Sequence, residues 1–101
     1  MQLETENKVI LPLPSMLTME NIEEFFLEAR KINISEGVHV EINAAELDSI
    51  TTPGLQVLLS LARSVAQANG QFQIISAPPA LKDACRVMGL DSEYDTWTRK
   101  E

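Results

Sequence analysis

A helix pattern enclosed by two strand patterns limits the architectures open to this chain more than anything else in it. Val38-His39-Val40-Glu41-Ile42 alternates with period two, placing Val38, Val40 and Ile42 on one face. Phe72 to Ile75 reads as a second strand. Between them, apolar residues recur at helical spacing from Pro53 to about Ala68, where Asn69-Gly70 stops the pattern. Strands joined by helical crossovers define an α/β domain, and right-handed crossovers place the helices on one face of the sheet.

The remaining segments extend this order. The beginning, Gln2 to Leu13, reads as a hairpin broken at Glu6-Asn7-Lys8; because Pro12 and Pro14 cannot donate to a ladder, its second strand should end near Leu11 or lie along an edge. Thr18 is the expected N-cap of a helix over Met19 to Lys31, with acidic residues early and Arg30-Lys31 late, as the helix dipole favours. Asn43 to Thr51 reads as an aperiodic connection. Pro78-Pro79 opens a last helix whose inward stripe is Leu81, Ala84, Cys85 and Met88, and Gly89 with Leu90 suits a Schellman-type close. The expected architecture is a mixed four- to five-stranded sheet, an N-terminal hairpin followed by parallel strands, with helices packed mainly on one face. Residues 1–94 form the domain, and 95–101 a polar tail in which Trp97 is the exception.

The segment Asp48-Ser49-Ile50-Thr51-Thr52-Pro53-Gly54 carries the chemistry. Thr52 reads as the N-cap of the central helix, with Pro53 at the first helical position. A phosphate on such a hydroxyl would meet the positive end of the helix dipole and its unpaired N–H groups. On the helix, Leu55, Leu58, Leu59, Ala62, Val65 and Ala66 face the core, while Val57, Leu61 and Ala68 form a further apolar flank suited to a neighbouring helix or a partner.

Composition narrows the classes. Fifteen acidic and eight basic residues give a formal charge of -7, which disfavours nucleic acid and anionic lipid. No apolar run approaches the roughly 20 residues of a membrane span, and no apolar signal core follows Met1, so a cytoplasmic location without membrane insertion is expected. One cysteine and one histidine argue against a metal site, and no glycine-rich phosphate loop argues for a nucleotide; no cofactor is expected. Thr52 lacks a base, since His39 sits mid-strand and Asp48 has no perturbing surroundings, so an enzyme is not expected. Cys85 reads as a buried, inert thiol.

Three blocks, Leu13-Pro14-Ser15-Met16-Leu17-Thr18, Thr51-Thr52-Pro53-Gly54-Leu55-Gln56-Val57-Leu58-Leu59, and Leu81 to Tyr94 with Met88-Gly89-Leu90, give the chain a resemblance to the sulfate transporter and anti-sigma factor antagonist (STAS) domain over nearly its whole length. The resemblance implies a non-enzymatic, phosphorylation-switched binding module with Thr52 as phosphoacceptor and Thr51 as the alternative. Asp48, Ser49, Thr51, Thr52, Gly54, Gln56, Val57 and Leu61 would border the partner, with Gly54 admitting close approach. In that family's antagonists an aspartate precedes the acceptor; here it is Thr51, which turns the resemblance away from sporulation-type antagonists. Leu17-Thr18 and Gly54 to Leu59 look more like the compact STAS proteins of bacterial chemotaxis clusters, whose partner would be a signalling histidine kinase. The alternatives implied are an anti-sigma factor antagonist bound by a serine kinase and an accessory subunit of a lipid-transport ATPase, the protein itself being a monomer or weak dimer.

Overall fold

The apolar alternation of the sequence becomes one buried sheet face. In the computed structural model, which describes residues 3–5, 8–18, 20–32 and 34–98, the order is β1 (Leu3–Thr5), β2 (Lys8–Pro12), β3 (Met16–Leu17), α1 (Ile22–Arg30), β4 (His39–Asn43), β5 (Ser49–Ile50), α2 (Thr52–Gln67), β6 (Gln71–Ile75), α3 (Pro79–Val87) and α4 (Asp91–Thr98). The main sheet runs β1-β2-β4-β6; β1 pairs antiparallel with β2, and β2, β4 and β6 are parallel. The hairpin and crossover strands are therefore as expected, although Glu6 and Asn7 of the hairpin connection lie outside the described residues.

Register aligns Val9, Val40 and Phe72 in one row and Leu11, Ile42 and Ile74 in the next. All of these but the half-buried Phe72 are buried, together with Leu55, Leu58, Leu61, Ala62 and Val65 of α2. Burial of this kind is the main source of folding energy, at about 25 cal/mol per Å² of apolar surface.

Several expectations need correction. Strand β2 lies between β1 and β4 and ends at Pro12, one residue past the Leu11 at which it was expected to stop. The missing donor does no harm there, because Leu13 N–H makes the bond to Asn43 O at 2.8 Å and the described pairing with β1 ends at Leu3 and Ile10. The connection from Asn43 to Thr51 contains β5, which pairs in parallel with β3 as a separate two-stranded sheet. Helix α1 begins at Ile22, not at Met19, which lies outside the described residues. Thr18 still closes the preceding turn: its hydroxyl accepts from Glu20 N–H at 3.3 Å while the Asn21 carboxamide accepts from Thr18 N–H at 2.8 Å, so the polar groups of 18–21 satisfy one another ahead of the helix. The polar segment from Asp95 belongs to α4 as far as Thr98, and Trp97 is 4% exposed against Phe72, ring centroids 5.5 Å apart and edge-to-face.

Helix α3 ends as its glycine predicts. Gly89 has φ +73°, Leu90 N–H donates to Cys85 O at 2.7 Å and Gly89 N–H to Arg86 O at 3.1 Å, the paired bonds of a Schellman close.

Candidate functional site

Two adjacent threonines start α2, and tertiary contacts decide between them. Thr51 is extended (φ -98°, ψ 168°) and its carbonyl accepts the first helical bond from Leu55 N–H at 3.0 Å, so Thr51, not Thr52, is the N-cap. Its hydroxyl does not cap. It donates to Leu17 O at 3.2 Å, the same carbonyl that accepts Thr51 N–H at 2.9 Å, and thereby ties α2 to β3.

Thr52 is consequently the first helical residue, with its side chain exposed. The Oγ1 reaches only the thioether of Met88, at 3.9 Å. No acidic side chain occupies the first turn and no side chain caps it, so the positive end of α2 is uncompensated by its own residues.

Beside Thr52 a groove of about 520 Å³ opens between the start of α2 and α3, with Ile50, Leu55, Asp83, Val87 and Met88 among its walls. Val87 is 85% and Met88 38% exposed, an apolar pair lining the same groove as the threonine, with Met88 in contact with it. Met88 thus leaves the inward stripe assigned to it, because the helix ends there and the chain turns into Gly89. Sequence reasoning missed Val87; the signal was an aliphatic residue on the same side of α3 as Lys82, Asp83 and Arg86.

The other candidates divide. Asp48 is exposed and Ser49 half-buried in the strand leading to Thr51, both held by amide bonds to Ser15 O. Gln56 is exposed one turn into α2. Gly54 is buried and serves the interior: a Cβ there would lie 2.9 Å from Leu17 Cγ and 3.1 Å from Ile50 Cγ1, so the close approach it admits is that of β3 and β5, not of another molecule. Leu61 is 7% exposed and Val57 half-buried, on a flank shared with Phe26 and Ala29, so α1 covers that flank.

His39 pairs its Nε2 with Gln73 Oε1 at 3.3 Å across β4 and β6, and it is not among the residues lining the groove. Among the described residues no three potential metal ligands come together, and no helix is long and apolar enough to cross a membrane. Cys85 is 0% exposed; burial pushes its thiol from 9.0 up to about 11, with the Asp91 and Glu93 carboxylates adding to the shift. The folded chain keeps this proton where the unfolded chain loses it, so the associated stability is intact below pH 9.0 and falls as pH rises toward 11. Thiol reagents at about pH 8 should leave the native protein unlabelled and label one thiol per chain in urea; rapid native labelling would contradict the burial.

The mixed sheet, with an exposed hydroxyl at the start of α2 beside a largely apolar groove, has a geometry that suits a protein-interaction module. The family model described as Mlab, STAS domain, matches residues 2–94, and the chain belongs to this STAS-domain family. STAS domains are in general non-enzymatic regulatory or binding modules. No curated protein matches the chain.

Proposed function

We propose that the domain is a reversible protein-docking module whose contact surface is the start of α2 and the end of α3, with Thr52 as its phosphorylation switch. The observation that carries this reading is the exposure of Thr52 directly beside Val87 and Met88. Asp48, Ser49, Thr51 and Gln56 border that surface; Gly54 and Leu61 support it from inside. A phosphoryl group on Thr52 adds a charge of about -1.5 to -2. Within the free domain that charge is favoured by the uncompensated helix start, whereas beneath a partner it must be desolvated against an apolar pair. Phosphorylation therefore releases the partner.

The setting we favour is a bacterial chemotaxis cluster, in the cytoplasm, with its signalling histidine kinase as partner; the Gly54 to Leu59 block supports it. An anti-sigma factor antagonist is disfavoured by Thr51 in place of an aspartate. A second reading, a standing accessory subunit of a lipid-transport ATPase, is favoured by the apolar character of Val87 and Met88, since permanent interfaces are the more hydrophobic ones.

A photo-crosslinking residue at Val87 should capture the partner in cells, while one at exposed Arg63 should not. Binding of the captured protein should weaken at least about tenfold in Thr52→Glu relative to Thr52→Ala, or about 1.4 kcal/mol. Equal affinity of the two variants would remove the switch; binding that ignores both, together with phosphate label absent from Thr52 in cells, would establish the standing-subunit reading instead.

A further inference from the structure

Helix α1 buries Phe25 and Ala29 in the core and presents a second, outward stripe that the fold itself does not use. Glu23, Phe26, Leu27 and Arg30 follow the spacing i, i+3, i+4, i+7, which at about 100° per residue gathers them within roughly 100° of arc along the helix. All four are exposed, and the two in the middle are apolar, Phe26 at 43% and Leu27 at 51% exposure. Phe26 also forms the common wall of two adjoining cavities between α1 and α2, of about 400 and 170 Å³, which share Val57 and Ser60 as well. We infer that this stripe joins two copies of the chain, their α1 helices antiparallel about a twofold axis passing between Phe26 and Leu27.

The order of the charges, not their sum, selects the occupant. Glu23 precedes the Phe26–Leu27 midpoint by as many residues as Arg30 follows it. Two such helices laid antiparallel over that midpoint bring each glutamate level with the other copy's arginine, roughly 5 Å along the axis to either side at a rise of about 1.5 Å per residue. Phe26 then meets Phe26 and Leu27 meets Leu27, with the cavities beside Val57 and Ser60 giving the rings room to settle. A parallel pair would oppose glutamate to glutamate and arginine to arginine. Among the described residues neither Glu23 nor Arg30 has an ion-pair partner in its own chain. Arg30 lies over the Phe26 ring, its guanidinium carbon 5.7 Å from the centroid, which holds it on the stripe while its N–H fork stays open to a carboxylate. A chain of charge -7 repels its copies over most of its surface, so association requires a local alternation of this kind. The contact spans about two helical turns, less than a permanent interface, so the dimer is weak and depends on concentration. Thr52, Val87 and Met88 lie outside the stripe and stay available to another protein.

Sedimentation velocity between about 10 µM and about 1 mM should show wild-type dimer accumulating toward the upper end. Glu23→Arg sets arginine against arginine at both ends of the contact, and Arg30→Glu sets glutamate against glutamate; each alone should raise the dimer Kd at least about tenfold with unchanged circular dichroism. Both substitutions in one chain restore the pairing and should return dimerisation to the wild-type level. An equal mixture of the two single variants should form a heterodimer, because every charge across the axis then meets its opposite. Leu27→Lys, at the centre of the stripe, should be monomeric at every concentration and serves if a charge variant misfolds. A wild-type monomer at about 1 mM, single variants that dimerise as well as wild type, a folded double variant that stays monomeric, or a mixture without heterodimer would each overturn the inference.

Discussion

Gly70→Ala is expected to destabilise the domain by about 3 kcal/mol, the upper end of what overpacking a well-filled interior costs. A Cβ on Gly70 would sit 2.2 Å from the carbonyl oxygen of Val38 and 2.9 Å from Val65 Cγ1. Neither obstacle is a flexible chain end. The Val38 carbonyl is held by Gln71 N–H at 2.8 Å, and Gly70 itself donates to Val65 O at 2.9 Å, so relief would require moving the junction of α2, β4 and β6 together. Urea denaturation followed by circular dichroism should show the midpoint falling with little change in slope. Gly37→Ala is a useful contrast: at φ +75° with open space around it, alanine there should cost only about 1 kcal/mol, from backbone strain alone. Wild-type stability in Gly70→Ala would show that the approach of Val38 is not as close as described.

The second large effect is at Trp97. Trp97→Ala should cost about 3 kcal/mol, because it empties the space between α4 and β6 and removes the edge-to-face contact with Phe72. Emission from this residue, the only tryptophan in the chain, should be blue-shifted in the native protein and move to the red on unfolding, as befits a buried indole. A substitution that leaves stability within about 0.5 kcal/mol of wild type would instead fit a tail whose indole does not dock on the domain.

That contrast shows where local pattern suffices and where it does not. The alternation of Val38, Val40 and Ile42 admits one reading because period two has no helical equivalent, and the structure buries all three. The end of α3 was equally legible, since a glycine followed by leucine encodes its own hydrogen bonds. The segment Asp91–Thr98 has no comparable signal: it is polar and weakly amphipathic, and its order comes from one indole meeting Phe72, a residue distant in sequence. Strands β3 and β5, of two residues each, are too short to express a period at all.

The start of α2 was legible to within one residue. Thr51 and Thr52 offer the same hydroxyl to the same helix, so nothing local separates cap from first turn; the Leu17 carbonyl, brought in by β3, makes the choice. The same tertiary logic turned Gly54 and Leu61 inward, whereas Asp48, Thr52 and Gln56 stayed outside. Val87 went unnoticed because a lone aliphatic on a polar helix side is common on protein surfaces, and its meaning lies in proximity to Thr52.

The tight corner at Gly89 has a mechanical consequence. Only Met88, Gly89 and Leu90 separate α3 from α4, and Cys85 O grips Leu90 N–H, so the two helices turn as an elbow with little slack. Leu81 and Cys85 seat one arm of the elbow in the core and Trp97 seats the other, so the exposed valine and methionine at its corner are braced from both sides.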